Sequence, residues 1–311
     1  MLGWQRFTMS VVHARIGMLV AATACWGAGT VVSKHLLGSV EPLTLLPVQL
    51  AASCLFLLAA VSLGTARVAR PRHAAWFAAL GMLNPGLAYA LGLLGLTSVT
   101  ASMSVLLWAV EPVLILVLAA GLLRERVPLA VAAAVGSAVI GVVFVVYRPG
   151  ATGDAAGVAL TLAAVGACAL YTILTRRLSF DDASLTVVLV QQIAALGFAV
   201  VLATVWQAAG GVGWSTASMT AGTWFGAAAS GVLYYGAAFW FYLAGLRAGP
   251  AWAAGGLLPL VPVFGLAFAS LAGERLELRQ WLGAALVIAA TLGVSMRRGP
   301  GRRDEPAHRS P

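Results

Sequence analysis

The chain has 311 residues, of which 61% are apolar and 9% charged, and its mean hydropathy is +0.94. An ordinary soluble domain carries roughly a quarter charged residues, so a water-soluble core is excluded: too few charged groups exist to cover that much apolar surface. The formal net charge of +9 is spread between apolar runs rather than gathered in a patch, so it reads as a membrane-orientation signal and not as a surface for nucleic acid.

Windows of about 19 residues pick out ten segments, each long enough to cross a ~30 Å hydrocarbon layer as a helix. The runs are continuous and do not alternate, which favours helices, whose backbone satisfies itself in lipid, over barrel strands. The expected fold is an all-α polytopic membrane protein of ten transmembrane helices, with the lipid bilayer as its main surrounding.

The first span, 14–37, places Trp26, Thr30 and Lys34 four residues apart, so an indole, a hydroxyl and an ammonium share one helical face. Lys34 is the only lysine. Two roles compete for it, binding a substrate carboxylate or snorkelling to the outer interface. The second span, 43–63, contains Gln49, and the third, 74–95, contains Asn84-Pro85 and Tyr89.

The fourth span, 98–121, carries Glu111, the one acid lying so deep in any span. A carboxylate there costs several kcal/mol unless it is protonated, paired or wet. Thr97, Ala101, Ser104, Trp108 and Glu111 recur at spacings of 4, 3, 4 and 3, which places them on one face. Pro112 follows and removes a helical hydrogen bond beside the carboxylate. Glu111 is therefore the candidate for proton coupling or for holding a substrate ammonium. The alternative is a protonated side chain bridging two helices.

The fifth and sixth spans are 128–147 and 156–175. Gln191-Gln192 sits in the seventh, 184–207, where, as with Gln49, interhelical hydrogen bonding competes with a cavity role. The eighth, 220–243, carries Tyr234, Tyr235, Trp240 and Tyr242. For Tyr89 and Tyr235, stacking on a solute and placement in an interfacial belt are both open. Pro259 and Pro262 interrupt the ninth, 250–272, as Pro112 does the fourth. The tenth covers 280–296, and the polar tail 297–311 reads as a disordered cytoplasmic segment.

With the N-terminus inside, fifteen basic residues face the cytoplasm and four (Lys34, Arg148, Arg275 and Arg279) face the other side. That asymmetry puts both termini in the cytoplasm. Self-comparison reveals a repeat. Shifted by 150 residues, Gly81, Gly86, Gly95 and Pro112 fall on Gly231, Gly236, Gly245 and Pro262. A shift of 142 places Thr30 on Thr172, Lys34 on Arg176 and Gln49 on Gln191. Five spans per unit is an odd number, so the units, 14–147 and 154–296, enter the membrane from opposite sides. Such inverted repeats are a mark of secondary transporters.

Several segments then resemble, in order and spacing, the EamA-type transporters of the drug/metabolite transporter (DMT) superfamily. They are Cys25-Trp26-Gly27 with Lys34, the stretch from Ala101 to Glu125 with Glu111-Pro112 and Arg124-Glu125-Arg126, and Pro259, Pro262 and Gly273-Glu274-Arg275 with Gly283. The resemblance covers about residues 16–296. It departs in the second helix, where many members carry an arginine and this chain has Gln49, paired with Gln191. The resemblance implies a central cavity between the halves and movement of small metabolites, commonly by export.

No Gly-x-Ser-x-Gly, His-Glu-x-x-His or nucleotide-binding Gly-Lys-Ser/Thr pattern occurs, and no carboxylate cluster suits a divalent metal. The expectation is thus a non-enzyme without cofactor or metal, driven by a gradient or by exchange. It is placed in the plasma membrane of a bacterium. Its partner is a small-molecule solute, and whether it acts as monomer or homodimer is open. The competing functions are an uncoupled facilitator of the same fold and a scaffold or sensor that moves nothing.

Overall fold

The computed structural model describes residues 2–63, 73–123, 136–137, 140, 155–176, 184–217, 219–247 and 260–295. The fifth predicted span (128–147), Pro259, Glu125-Arg126 and the tail 297–311 lie outside or almost wholly outside these residues.

The described elements are helical, with no strand among them. In chain order they are α1 (Leu2–Leu36), α2 (Pro42–Ser62), α3 (Ala74–Gly81), a π-helical turn (Met82–Leu87), α4 (Ala88–Ser98), α5 (Ala101–Trp108) and α6 (Glu111–Leu123). The second half contributes α7 (Ala155–Arg176), α8 (Ser184–Ala208), α9 (Ala221–Gly231), a second π-helical turn (Val232–Ala237), α10 (Ala238–Arg247), α11 (Leu260–Leu271) and α12 (Leu278–Ser295). Four stretches among the described residues are long and apolar enough to cross a membrane by themselves: Pro42–Ser62, Ala74–Ser98, Ala155–Thr175 and Leu185–Ala208. Large apolar side chains such as Leu55, Trp76, Val201 and Phe225 point outward and are more than half exposed. A lipid solvent accommodates that pattern and water does not. The chain is a multi-pass membrane protein.

Three spans that the sequence presents as continuous are interrupted. In the third, Asn84 is extended (φ −146°, ψ 117°) and Pro85 lacks an N–H, so the ladder breaks between α3 and α4. The eighth widens into a π-turn that begins 150 residues after the first one, at Val232. The fourth breaks at Ala109-Val110, where the Val110 N–H donates to the Leu107 carbonyl at 3.1 Å and α6 then begins at Glu111. Pro112 therefore does not interrupt a running helix. It lies in the first turn of a new one, where its missing N–H costs nothing. Pro262 lies in α11, which is described from Leu260 onward.

The halves exchange contacts reciprocally. α2 packs on α8 and α9, while α8 packs on α2 and α3; α4 lies along α7, and α10 along α1. Two close approaches fix this arrangement. A Cβ on Gly81 would run into the backbone of Gln191, and one on Gly231 into the backbone of Gln49. Gly86 lies against Phe198 and Gly236 against Phe56. The two shifts found in the sequence, 150 and 142, reappear here as symmetry-related contacts.

Candidate functional site

Where the halves meet, a cavity of about 200 Å³ opens, lined from α1, α4, α5, α6, α7, α10 and α11 and from both π-turns. The interrupted helices end on it: Asn84 from the first break, and Ala109 and Glu111 from the second; Pro262 of α11 also lines it. A break in a membrane helix is tolerated where its freed backbone groups face a cavity rather than lipid. Glu111, as the first residue of α6, also sits at the positive end of that helix dipole, which offsets part of the cost of a carboxylate at this depth.

Aromatic rings make most of the wall. Tyr89 stacks on Trp108 at 5.5 Å between centroids, and meets Tyr234 and Tyr235 edge-on at 5.4 and 5.0 Å. On the facing side Trp26 lies 5.6 Å from Phe239 and 5.4 Å from Tyr242. Such pairs hold one another's orientation, so the wall is a rigid set of ring faces. The Thr30 hydroxyl donates to the Trp26 carbonyl at 3.1 Å, and Tyr234 lines the cavity together with Thr30 and Tyr89. Two buried polar atoms of lining residues lack a protein partner, Trp26 Nε1 (a donor) and Asn84 Oδ1 (an acceptor). Asn84 is 7% exposed. Orphaned polar atoms of this kind are costly in an apolar interior unless something else meets them.

The structure thus gathers Trp26, Thr30, Tyr89, Trp108 and Glu111 around one cavity. Ser104 and Tyr235 line a smaller hollow of about 20 Å³ next to it, which shares Thr30, Tyr89, Trp108 and Tyr234 with the larger one. Thr97 and Ala101, which the helical spacing places on the same face, are drawn off by the end of α4 and the start of α5.

Three expected cavity residues lie elsewhere. Gln49 is fully buried between helices and donates to Ser33 Oγ at 3.0 Å and to Ser230 Oγ at 2.8 Å. Gln191 accepts from the Tyr171 hydroxyl at 3.1 Å. Both amides sit where a glycine of the opposite half meets the backbone, and the partners they find there are side chains of neighbouring helices. The neighbouring Gln192 donates to the Tyr235 carbonyl at 3.0 Å, within the second π-turn, and accepts from Ser53.

Lys34 is the third. Its ammonium donates to the carbonyls of Leu96 at 2.8 Å and Thr97 at 3.2 Å, at the C-terminal end of α4. A cation suits that negative end of the helix. From the other half, the Glu274 carboxylate accepts from the backbone N–H groups of Ala101 at 2.8 Å and Ser102 at 3.1 Å, at the start of α5. Gly273, with φ of +93°, closes α11 in a turn where the Glu274 N–H returns to the Ala269 carbonyl at 3.0 Å. A side chain larger than hydrogen is strained at that φ. The connection between α4 and α5 is therefore clamped from both sides. Sequence reasoning recognised Glu274 only as part of a motif, because nothing local shows that it reaches residues 173 positions away.

Tyr234, Phe239, Tyr242, Tyr171, Thr172 and Asn84 also line the cavity. Asn84 and Tyr234 were visible as polar groups within spans, but their direction depends on the π-turns.

No curated protein matches the chain. One solved structure, titled "Crystal structure of protein", is similar in fold at 18% identity with a TM-score of 0.63, covering 89% of this chain and 95% of its own. The model of the EamA-like transporter family matches residues 14–147 and again 155–296. Two such units around an aromatic, acid-containing cavity make this chain a member of the EamA-like transporter family, within the DMT superfamily of membrane transporters.

Proposed function

We propose that this chain is a secondary transporter built as two inverted five-helix repeats in the plasma membrane of a bacterium, with both termini in the cytoplasm. It exports a small metabolite, an amino acid or an amphipathic amine, by alternating access in exchange for protons. The observation that carries this reading is the cavity between the two halves with Glu111 in its wall. A carboxylate among apolar rings holds either a proton or a cationic group, and competition for that one position couples the two fluxes.

The alternation follows from the clamp. Lys34 and Glu274 fix the α4–α5 connection on the side that the positive-inside count makes external. The cavity lining extends from Thr30 toward Ile115 and Thr172, nearer the opposite helix ends. Release of the clamp, with formation of its counterpart in the other repeat, would present the same cavity to the outside. No step needs a cofactor or a metal.

Flux in proteoliposomes under an imposed pH gradient tests the coupling. Glu111→Gln removes the proton site, so solute movement should no longer respond to the gradient. Retention of the wild-type pH response by that variant would overturn the role of Glu111, and a wild-type protein indifferent to the gradient would be a facilitator instead.

A further inference from the structure

Among the described residues the cavity carries one carboxylate, Glu111, and no cationic side chain. The lysine nearest in sequence logic, Lys34, is held on the carbonyls of Leu96 and Thr97. Of the two buried polar atoms in the lining that lack a protein partner, Asn84 Oδ1 is an acceptor and Trp26 Nε1 a single neutral donor, which carries no charge to balance a carboxylate. The lining hydroxyls are partly committed: Tyr171 donates to Gln191, and Thr30 to the Trp26 carbonyl. An ammonium finds two acceptors here and several ring faces, which attract cations through their quadrupoles. A carboxylate finds no cation and meets the charge of Glu111, and burying it unpaired is strongly unfavourable.

Size narrows the choice. A dry protein cavity of about 150 Å³ takes benzene, so about 200 Å³ accommodates one ring with a short arm. The stacked Tyr89–Trp108 pair, with planes 25° apart, offers a flat face for such a ring.

We infer that the solute is a compact aromatic monocation, a protonated arylalkylamine without a carboxylate, and that Glu111 and Asn84 set the preference against zwitterionic amino acids. This rests on the transporter reading above and narrows its solute class.

The test uses a matched set of probes, 2-phenylethylamine, phenylalanine and 3-phenylpropionate, titrated calorimetrically into the purified full-length protein. The amine should bind at least tenfold more tightly than phenylalanine, and phenylpropionate should not bind. Glu111→Gln should weaken the amine at least tenfold while leaving the melting temperature close to wild type. The wild-type ranking is the decisive measurement, because it does not depend on how that variant packs. Phenylalanine binding as tightly as the amine would overturn the inference, as would no binding by any of the three. In either case uptake of some other metabolite from a broad panel by proteoliposomes would leave the transporter reading standing, and uptake of none would remove that reading too.

Discussion

Glu274 offers the most quantitative perturbation. Its carboxylate accepts two backbone N–H bonds, from Ala101 at 2.8 Å and Ser102 at 3.1 Å, at the first turn of α5. A hydrogen bond to a charged group contributes about 1.5–3 kcal/mol net, and an anion at a helix N-terminus about 0.3–1 kcal/mol more. Both bonds share one part-buried carboxylate, so about 3 kcal/mol in total is a conservative figure. The Thr100 hydroxyl, which accepts from the Met103 N–H at 3.2 Å, is a separate cap and survives the change. Glu274→Ala removes the stabilisation from the clamped arrangement alone, so the ratio of closed to open forms should fall about 150-fold. Ser104 reports on this, being 2% exposed in the small hollow beneath the clamp. In a background with Cys25, Cys54 and Cys168 replaced, a Ser104→Cys variant should react slowly with a membrane-impermeant maleimide added outside. Adding Glu274→Ala should raise the labelling rate at least 30-fold, and Glu274→Gln, which keeps one acceptor without the charge, should raise it less. Equal rates with and without the carboxylate would refute the reasoning.

Lys34→Met should act in the same direction, since it removes the ammonium from the carbonyls of Leu96 and Thr97; labelling at position 104 should rise severalfold. Gly231→Val should destabilise by about 3 kcal/mol or more through overpacking against the Gln49 backbone, and Gly81→Val should do so similarly against Gln191, both read as lowered melting temperature in detergent. Gln192→Leu leaves the Tyr235 carbonyl and Ser53 without their partner, so about 2–4 kcal/mol of stability should be lost. The affinity for a cavity ligand should change by less than threefold.

Class and repetition were legible from the sequence because they depend on quantities summed along the chain. Apolar length decides what lipid can accept, basic residues bias orientation, and matched glycines such as Gly81 and Gly231 mark where two backbones must touch. Glu111 stood out for a local reason, the cost of a carboxylate in mid-span. The sequence could not show which polar groups turn toward the cavity. Lys34 and Gln49 carry chemistry as suitable for a solute as that of Trp26 and Thr30, yet each is captured by a partner distant in the chain, the end of α4 for one and Ser230 for the other. Helical periodicity assumes an unbroken helix, and the π-turns and the Ala109-Val110 break change the phase of everything beyond them. Asn84 and Tyr234 face the cavity for that reason. Which hydrogen bonds a membrane helix makes depends on what the neighbouring helices bring within 3 Å, and only the assembled halves decide it.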